Sequence, residues 1–276
     1  MCWKDIFLKE NRYFETENGI LYCGDCLEIM KKFPEEIFDT IIADPPYGTT
    51  ICKWDIIIPF EDMWNSLKRI RKDKTPILIF GSEPFTAMLI CSNLKEFREE
   101  IIWLKNKAGS GLQAKQKHIK VHEKIIVFSK TGNYTFNPQK WLVDKKEFLT
   151  QRKTFKDIEV GNNIYNKMIK KQKPDTGERY PISIVSVRVP FTPSKSKNYS
   201  KNIDLRFHPT QKPLELLEYL VKTYSNEGDL VLDFTCGSGT TLVACEKLNR
   251  RWIGIEINPD YCKIAKERIE NVIRRK

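Results

Sequence analysis

The chain has 276 residues, 41% of them hydrophobic and 11% aromatic, which suits one large packed domain and excludes wholesale disorder. No run approaches the ~20 apolar residues that span a bilayer, and the charged opening MCWKDIFLKENRYF has no apolar signal core, so a cytoplasmic protein without a membrane partner is expected. The net charge is +11, and it sits unevenly: residues 131–207 hold 16 Lys and Arg against 7 Asp and Glu, while the rest holds 31 against 29.

In chain order, the apolar runs GILYC (19–23), DTIIA (39–43), PILIFG (76–81), EIIWLK (100–105), KIIVFS (124–129), DLVLDF (229–234) and RWIGIEI (251–257) read as seven strands. Amphipathic stretches at 60–71, 84–92, 213–225, 240–249 and 259–273 read as helices, the last with Pro259 in its first turn. This alternation predicts a mostly parallel, doubly wound sheet covered on both faces. Between 131 and 207 the rhythm fails. The segment is rich in Lys, Asn, Ser and Pro but keeps scattered aromatics, which predicts a basic subdomain inserted into one α/β domain. Such a charge balance suits a polyanion-binding surface; composition alone leaves a solvated insertion equally open. The Gly- and Lys-rich stretch 106–118 reads as a mobile loop near the working edge of the sheet.

The eight cysteines include one CxxC pair, Cys23 and Cys26, with no second pair or nearby histidine to complete a zinc set. Ordinary reduced thiols and no metal are expected.

VLDFTCGSGTT (231–241) follows a strand and opens a helix. Gly237 and Gly239 let the backbone turn tightly and a ligand approach closely, and the amides at the helix start favour a negative group. The next strand ends on Glu256, 17 residues after Gly239, where an acid is placed to bind two ribose hydroxyls. The third glycine of a dinucleotide fingerprint is missing, since Leu242 stands there. Strand, Asp233-Phe234, GxG, helix and a strand ending in GIEIN together resemble the S-adenosylmethionine (SAM) site of class I methyltransferases.

A second constellation is ADPPYG (43–48), where a buried strand runs into Asp44, Pro45, Pro46 and Tyr47. In a doubly wound sheet, ligands bind beyond the carboxyl ends of the strands at the topological switch point. There the Asp44 carboxylate and the Pro45 carbonyl can accept the N–H groups of an amine. The prolines lower the entropy lost on binding, and Tyr47 offers a face on which a base can stack. Alone, the same residues also describe a plain Pro-Gly turn.

The whole chain resembles the permuted, β-type amino-group DNA methyltransferases, the N6-adenine/N4-cytosine family. DPPY comes first, a target-recognition region lies in the middle and FTCGSG (234–239) closes the order. Further matching blocks are YCGDCLEIMKKFP (22–34), HEKIIVFSK (122–130) and HPTQKP (208–213). The resemblance implies a class I SAM-dependent methyltransferase fold with a seven-stranded sheet. Its parts would be 1–130 (DPPY block), 131–207 (target recognition) and 208–276 (SAM binding).

The resemblance also implies roles. Asp44, Pro45, Pro46 and Tyr47 bind and activate the target base. Phe234, Gly237, Gly239 and Thr240 form the SAM pocket, Asp233 supports it and Glu256 takes the ribose. Asp25 resembles the acid near the cofactor's adenine; its alternative is the cap of a helix over 26–32. Thr210 and Lys212 are placed by the same likeness near the methionine end, Lys212 to meet its carboxylate. His122 and His208 are expected to be structural. The implied reaction is direct SN2 transfer of methyl from SAM to an exocyclic amine of a base flipped out of double-stranded DNA.

Asp rather than Ser at position 44 favours adenine N6 over cytosine N4 by family tendency, with RNA or protein substrates as remoter alternatives. A DNA-binding module without catalysis is the reading from another class, and it should lack Asp44 or the glycines. No Pro-Cys dipeptide of the cytosine-C5 enzymes is present. Homodimerisation and a cognate restriction endonuclease are partners that members often have, and both stay open for this chain.

Overall fold

The computed structural model describes residues 2–50, 55–106, 114–116, 118–142, 178–188 and 211–275. It divides into two compact units, Met1–Asn137 with Ser183–Lys276, and Pro138–Ile182.

Among the described residues, the first unit is built on nine strands. They are β1 (Arg12–Glu15), β2 (Gly19–Cys23), β3 (Thr40–Ala43), β4 (Ile77–Gly81), β5 (Phe97–Leu104), β6 (His122–Phe128), β9 (Ile184–Ser186), β10 (Leu230–Asp233) and β11 (Arg251–Glu256). Their order is β1-β2-β11-β10-β3-β4-β6-β5-β9. The block from β2 to β4 is parallel, and β6 runs against both its neighbours. All seven strands expected from the apolar runs are present. The other two, β1 and β9, are short edge strands of 4 and 3 residues and carry no long apolar run.

The unbroken apolar runs are explained by burial on both faces. Alternate residues of one strand feed opposite cores. Ile41, Ala43, Ile77 and Ile79 join the core beneath α1 (Cys26–Lys31), α2 (Phe60–Ile70) and α3 (Phe85–Ser92). Ile42, Leu78, Phe80 and Val231 join the core beneath α4 (Leu214–Tyr224), α5 (Thr240–Lys247) and α6 (Pro259–Ile273). The five expected helices are α2 to α6, and α6 carries Pro259 at its start with Asn258 accepting the Asp260 N–H at 2.9 Å. Among the described residues no helix is long and apolar enough to cross a membrane.

β10 pairs with β3, Val231 opposite Thr40 and Leu232 opposite Ile41. From β10 the chain passes through α5 to β11 on one side. From β3 it passes through α2 to β4 on the other. The switch point of the sheet therefore lies between β3 and β10, and their carboxyl ends carry Asp44 and Asp233.

The second unit contributes an antiparallel pair, β7 (Trp141–Leu142) and β8 (Glu178–Arg179). Beside it the Lys140 ammonium lies 3.2 Å from Glu178 and 5.0 Å from the Tyr180 ring centre. This unit is narrower than the expected 131–207 segment: of the described residues in that segment, 131–137 and 183–188 belong to the first unit. Tyr134 stacks on Tyr224, and both phenols donate to Glu99 at 2.9 Å. On the other flank β9 extends β5, and Trp103 Nε1 donates to the Val187 carbonyl at 2.8 Å. Most of the 106–118 loop, His208 and Thr210 lie outside the described residues.

Candidate active site

Asp44 is the first residue beyond β3. Its Oδ1 accepts the Tyr47 hydroxyl at 2.5 Å, and its Oδ2 lies 2.7 Å from the Lys212 ammonium. About a quarter of the Asp44 side chain is exposed, against 9% of Lys212. The Tyr47 ring lies against Phe85, the first residue of α3, with centroids 5.1 Å apart and planes 29° apart.

The loop carrying this pair is held by a residue that sequence reading missed. The Asp55 carboxylate accepts four successive backbone N–H groups, those of Tyr47, Gly48, Thr49 and Thr50, at 2.7–2.9 Å. Gly48 has φ +67°, and a Cβ there would fall 2.9 Å from Ile57, so the turn requires glycine. Burial opposes the Asp55 charge, but the Thr50 side chain and the amides outweigh it and hold the carboxyl below its ordinary range.

Lys212 was expected at the cofactor's carboxylate. In the structure its ammonium is buried between two protein carboxylates, Asp44 and Glu123, the latter at 3.1 Å. Glu123, in β6, reaches Lys105 at the end of β5 at 2.7 Å with its other oxygen. Burial opposes the Glu123 charge, yet Lys212 and Lys105 outweigh it and bring the carboxyl down to about 2. Burial also opposes the Lys212 ammonium, and the two carboxylates more than offset it, so its pKa is raised. For Asp44 burial prevails over Lys212 and the carboxyl is pushed up. Glu123 belongs to the HEKIIVFSK block, but nothing local marks it as Lys212's partner.

On the adjoining strand, Asp233 is buried at the end of β10, and its Oδ1 accepts the Thr235 N–H at 3.2 Å. Burial raises its carboxyl to about 7. Phe234 is wholly buried in the core beneath α1 to α3, so it anchors the glycine turn from below. The two glycines of the turn differ. At Gly237 (φ +52°) a Cβ would meet nothing among the described residues; at Gly239 (φ +75°) it would lie 2.8 Å from the Ala265 Cβ on α6. Gly237 leaves room for a ligand, while Gly239 lets two helices approach.

Glu256 closes the turn from β11. Its Oε2 accepts the Gly237 N–H at 2.8 Å and its Oε1 the Asn258 N–H at 2.9 Å. Burial raises its pKa. Thr240 faces a different partner, since its hydroxyl accepts from Arg268 on α6 at 2.9 Å, and the same guanidinium nitrogen donates to the Ser238 carbonyl at 2.6 Å. Arg268 was not legible as a turn residue because it lies on a distant amphipathic helix. Asp25 caps α1, accepting the Glu28 N–H at 3.0 Å. It also stands beside Glu256, because β2 pairs with β11 there and the Gly24 N–H donates to the Glu256 carbonyl at 2.9 Å.

Two halves thus meet at the switch point: an acceptor carboxylate with an aromatic neighbour on β3, and an open glycine turn with an acid on β10 and β11. A family model of DNA methylases, covering N6 and N4 methyltransferases, matches residues 38–267. The chain belongs to the N6/N4 DNA methylase family.

The DPPY strand precedes the glycine turn in this methylase, the permuted order. The DNA adenine methyltransferase YhdJ of Escherichia coli strain K12 is 32% identical over 270 residues, 93% of this chain and 84% of that protein. The type II methyltransferase M1.MboII of Moraxella bovis is 29% identical over 256 residues, 87% and 92% of the two chains. Among solved structures, the PvuII DNA methyltransferase, described as cytosine-N4-specific, aligns with a TM-score of 0.65 at 17% identity, over 96% and 94% of the chains. The M1.HpyAVI–SAM complex aligns at 0.55 and 23%, over 90% and 98%. These two likenesses concern the fold, a class I methyltransferase with a mostly parallel sheet. The methylase is accordingly an enzyme that methylates an amino group of DNA.

Proposed function

We propose that this methylase transfers methyl from SAM to the exocyclic N6 amine of adenine, at a defined site in double-stranded DNA, on a base flipped out of the helix. The observation that carries the reading is the position of Asp44, an acceptor carboxylate at the switch point, one strand away from the open glycine turn.

The residues present fit SAM. A Cβ at Gly237 would meet no described residue, Glu256 supplies acceptors for hydroxyls, and Asp25 stands on the neighbouring strand end. When bound, SAM supplies an electrophilic methyl group. Asp233 and Phe234 hold the turn from the protein side, Thr240 holds it through Arg268, and Thr210 is assigned to the same pocket by family likeness.

The amine of adenine is a poor nucleophile because its lone pair is delocalised into the ring. Asp44 Oδ2 and the Pro45 carbonyl accept its N–H groups, which orients the lone pair and stabilises the developing positive charge. Pro45 and Pro46 keep the acceptors fixed. Tyr47, backed by Phe85 and bonded to Asp44, presents its ring to the flipped base. The basic 131–207 segment meets phosphates and reads base edges.

Adenine rests on Asp at position 44 and on the 32% identity to an adenine methyltransferase. Cytosine N4 is the second reading, since the same family contains such enzymes. Nucleoside mass spectrometry of DNA treated with the purified methylase separates them: N6-methyladenine is expected, and N4-methylcytosine alone overturns the assignment. The type II methyltransferases among its relatives favour a restriction-linked role, which a neighbouring nuclease of the same site specificity tests.

A further inference from the structure

In the resting site both oxygens of Asp44 are engaged, Oδ1 by the Tyr47 hydroxyl and Oδ2 by the Lys212 ammonium at 2.7 Å. Each carboxylate oxygen can accept a second hydrogen bond. An amine donating to Oδ2 beside the Lys212 ammonium, however, would share an acceptor whose charge that cation already offsets. The amine is held better once Lys212 withdraws. Lys212 already has somewhere to go. Glu123 Oε2 lies 3.1 Å from the same ammonium, on β6, and Lys105 at 2.7 Å orients that carboxylate from its other oxygen. The ammonium is buried, so leaving Asp44 without a second carboxylate would strand a desolvated charge.

We propose that Glu123 is a positioning residue that takes over the Lys212 ammonium when the target amine binds, freeing Asp44 Oδ2 to accept the amine N–H. This rests on the reading of Asp44 as the target-amine acceptor. Lys212 shifts by less than one hydrogen-bond length, and the site keeps its charge balance throughout. Without the Glu123 charge, Asp44 is the one carboxylate left to Lys212 among the described residues, and the ammonium competes with the substrate for it.

Among the described residues, four groups face Asp44: Lys212 ahead of α4, Glu123 on β6, Tyr47 in its own loop and Asp233 on β10. Removing the Glu123 charge takes away a negative neighbour and makes Asp44 easier to ionise. The acid limb of the kcat–pH profile then moves to lower pH, as loss of that charge requires. What a merely structural role for Glu123 would not produce is a kcat loss that depends on the presence of Lys212.

The test compares Glu123→Gln, Lys212→Met and the double variant, with SAM affinity by calorimetry, kcat on a duplex oligonucleotide and thermal melting. Glu123→Gln is expected to lower kcat at least 10-fold, with SAM affinity within about threefold of the parent and the acid limb at lower pH. In the Lys212→Met background the same change should cost less than twofold. Glu123→Asp, which keeps the charge, should recover most of the loss and serves if the Gln variant folds poorly. Equal losses in both backgrounds, wild-type kcat in Glu123→Gln, an unmoved acid limb, or equal losses in the Gln and Asp variants each overturn the proposal. If Asp44→Ala keeps full activity, the underlying reading fails instead, and that result is scored separately.

Discussion

The Glu256 carboxylate accepts the Gly237 N–H at 2.8 Å, so the acid ending one strand and the glycine turn ending its neighbour form one unit. Glu256→Ala removes an acceptor from the proposed ribose site and releases the turn. SAM affinity should fall about 10–100-fold, the scale of one or two charge-assisted hydrogen bonds, as read by calorimetry. An unchanged affinity would place the cofactor elsewhere.

The two turn glycines should separate folding from binding. Gly239→Ala brings a Cβ to 2.8 Å from Ala265 at φ +75°, so stability should drop by about 1–3 kcal/mol. Gly237→Ala meets no described neighbour at φ +52° and should cost roughly 1–2 kcal/mol of backbone strain while weakening SAM binding more than Gly239→Ala does. Denaturant melts and SAM titrations of both variants check this; the reverse ranking refutes it.

Asp44→Ala should lower kcat about 10²–10³-fold or more, the scale of losing one fixed electrostatic partner, while SAM still binds. Full methylation by this variant would sink the mechanism.

Asp55 touches no proposed substrate, yet it holds four amides of the Tyr47–Thr50 loop. Asp55→Ala leaves those donors without their common acceptor. We expect a stability loss of about 1.5–3 kcal/mol and a fall in kcat on the order of 10-fold or more from misplacement of Tyr47. SAM affinity should hold. Loss of SAM binding with normal kcat at saturation would contradict the loop-anchor role.

Asp233 predicts a pH dependence with a definite sign. Its carboxyl is raised to about 7 from an ordinary 3.8, so the folded state keeps a proton that the unfolded chain releases. The stability this group contributes is complete in acid below the unfolded pKa and is lost as pH rises to about 7, by up to roughly 4 kcal/mol. Asp233→Asn removes this loss, so the variant should gain on the parent between about pH 4 and 7 and stay level above. A stability difference independent of pH, measured by urea unfolding, rules the shift out.

Much of the fold was legible because each signal was local. The runs at 39–43, 76–81 and 229–234 are apolar on both pleats, which suits a strand buried on both faces. The edge strands β1 and β9 were not legible, since three or four residues beside solvent need no such run. The same limit affected the expected 131–207 insertion: Tyr134 belongs to the first unit through its contacts with Tyr224 and Glu99, and composition carries no trace of that.

By itself, the sequence determined the chemistry at two strand ends. Glycines where the backbone must turn left-handed, and prolines where it must be stiff, are properties of a few adjacent residues. Only the tertiary structure decided which charges meet. Strand order puts β3 beside β10 and brings β6 within reach of the segment before α4, so Asp44, Lys212 and Glu123 share one cluster although they lie far apart in the chain. Their pairing depends on distances of about 3 Å across separate elements and on burial that makes an unpaired charge costly. The clamp of Asp55 on four amides is equally a product of folding, because backbone N–H groups carry no sequence mark.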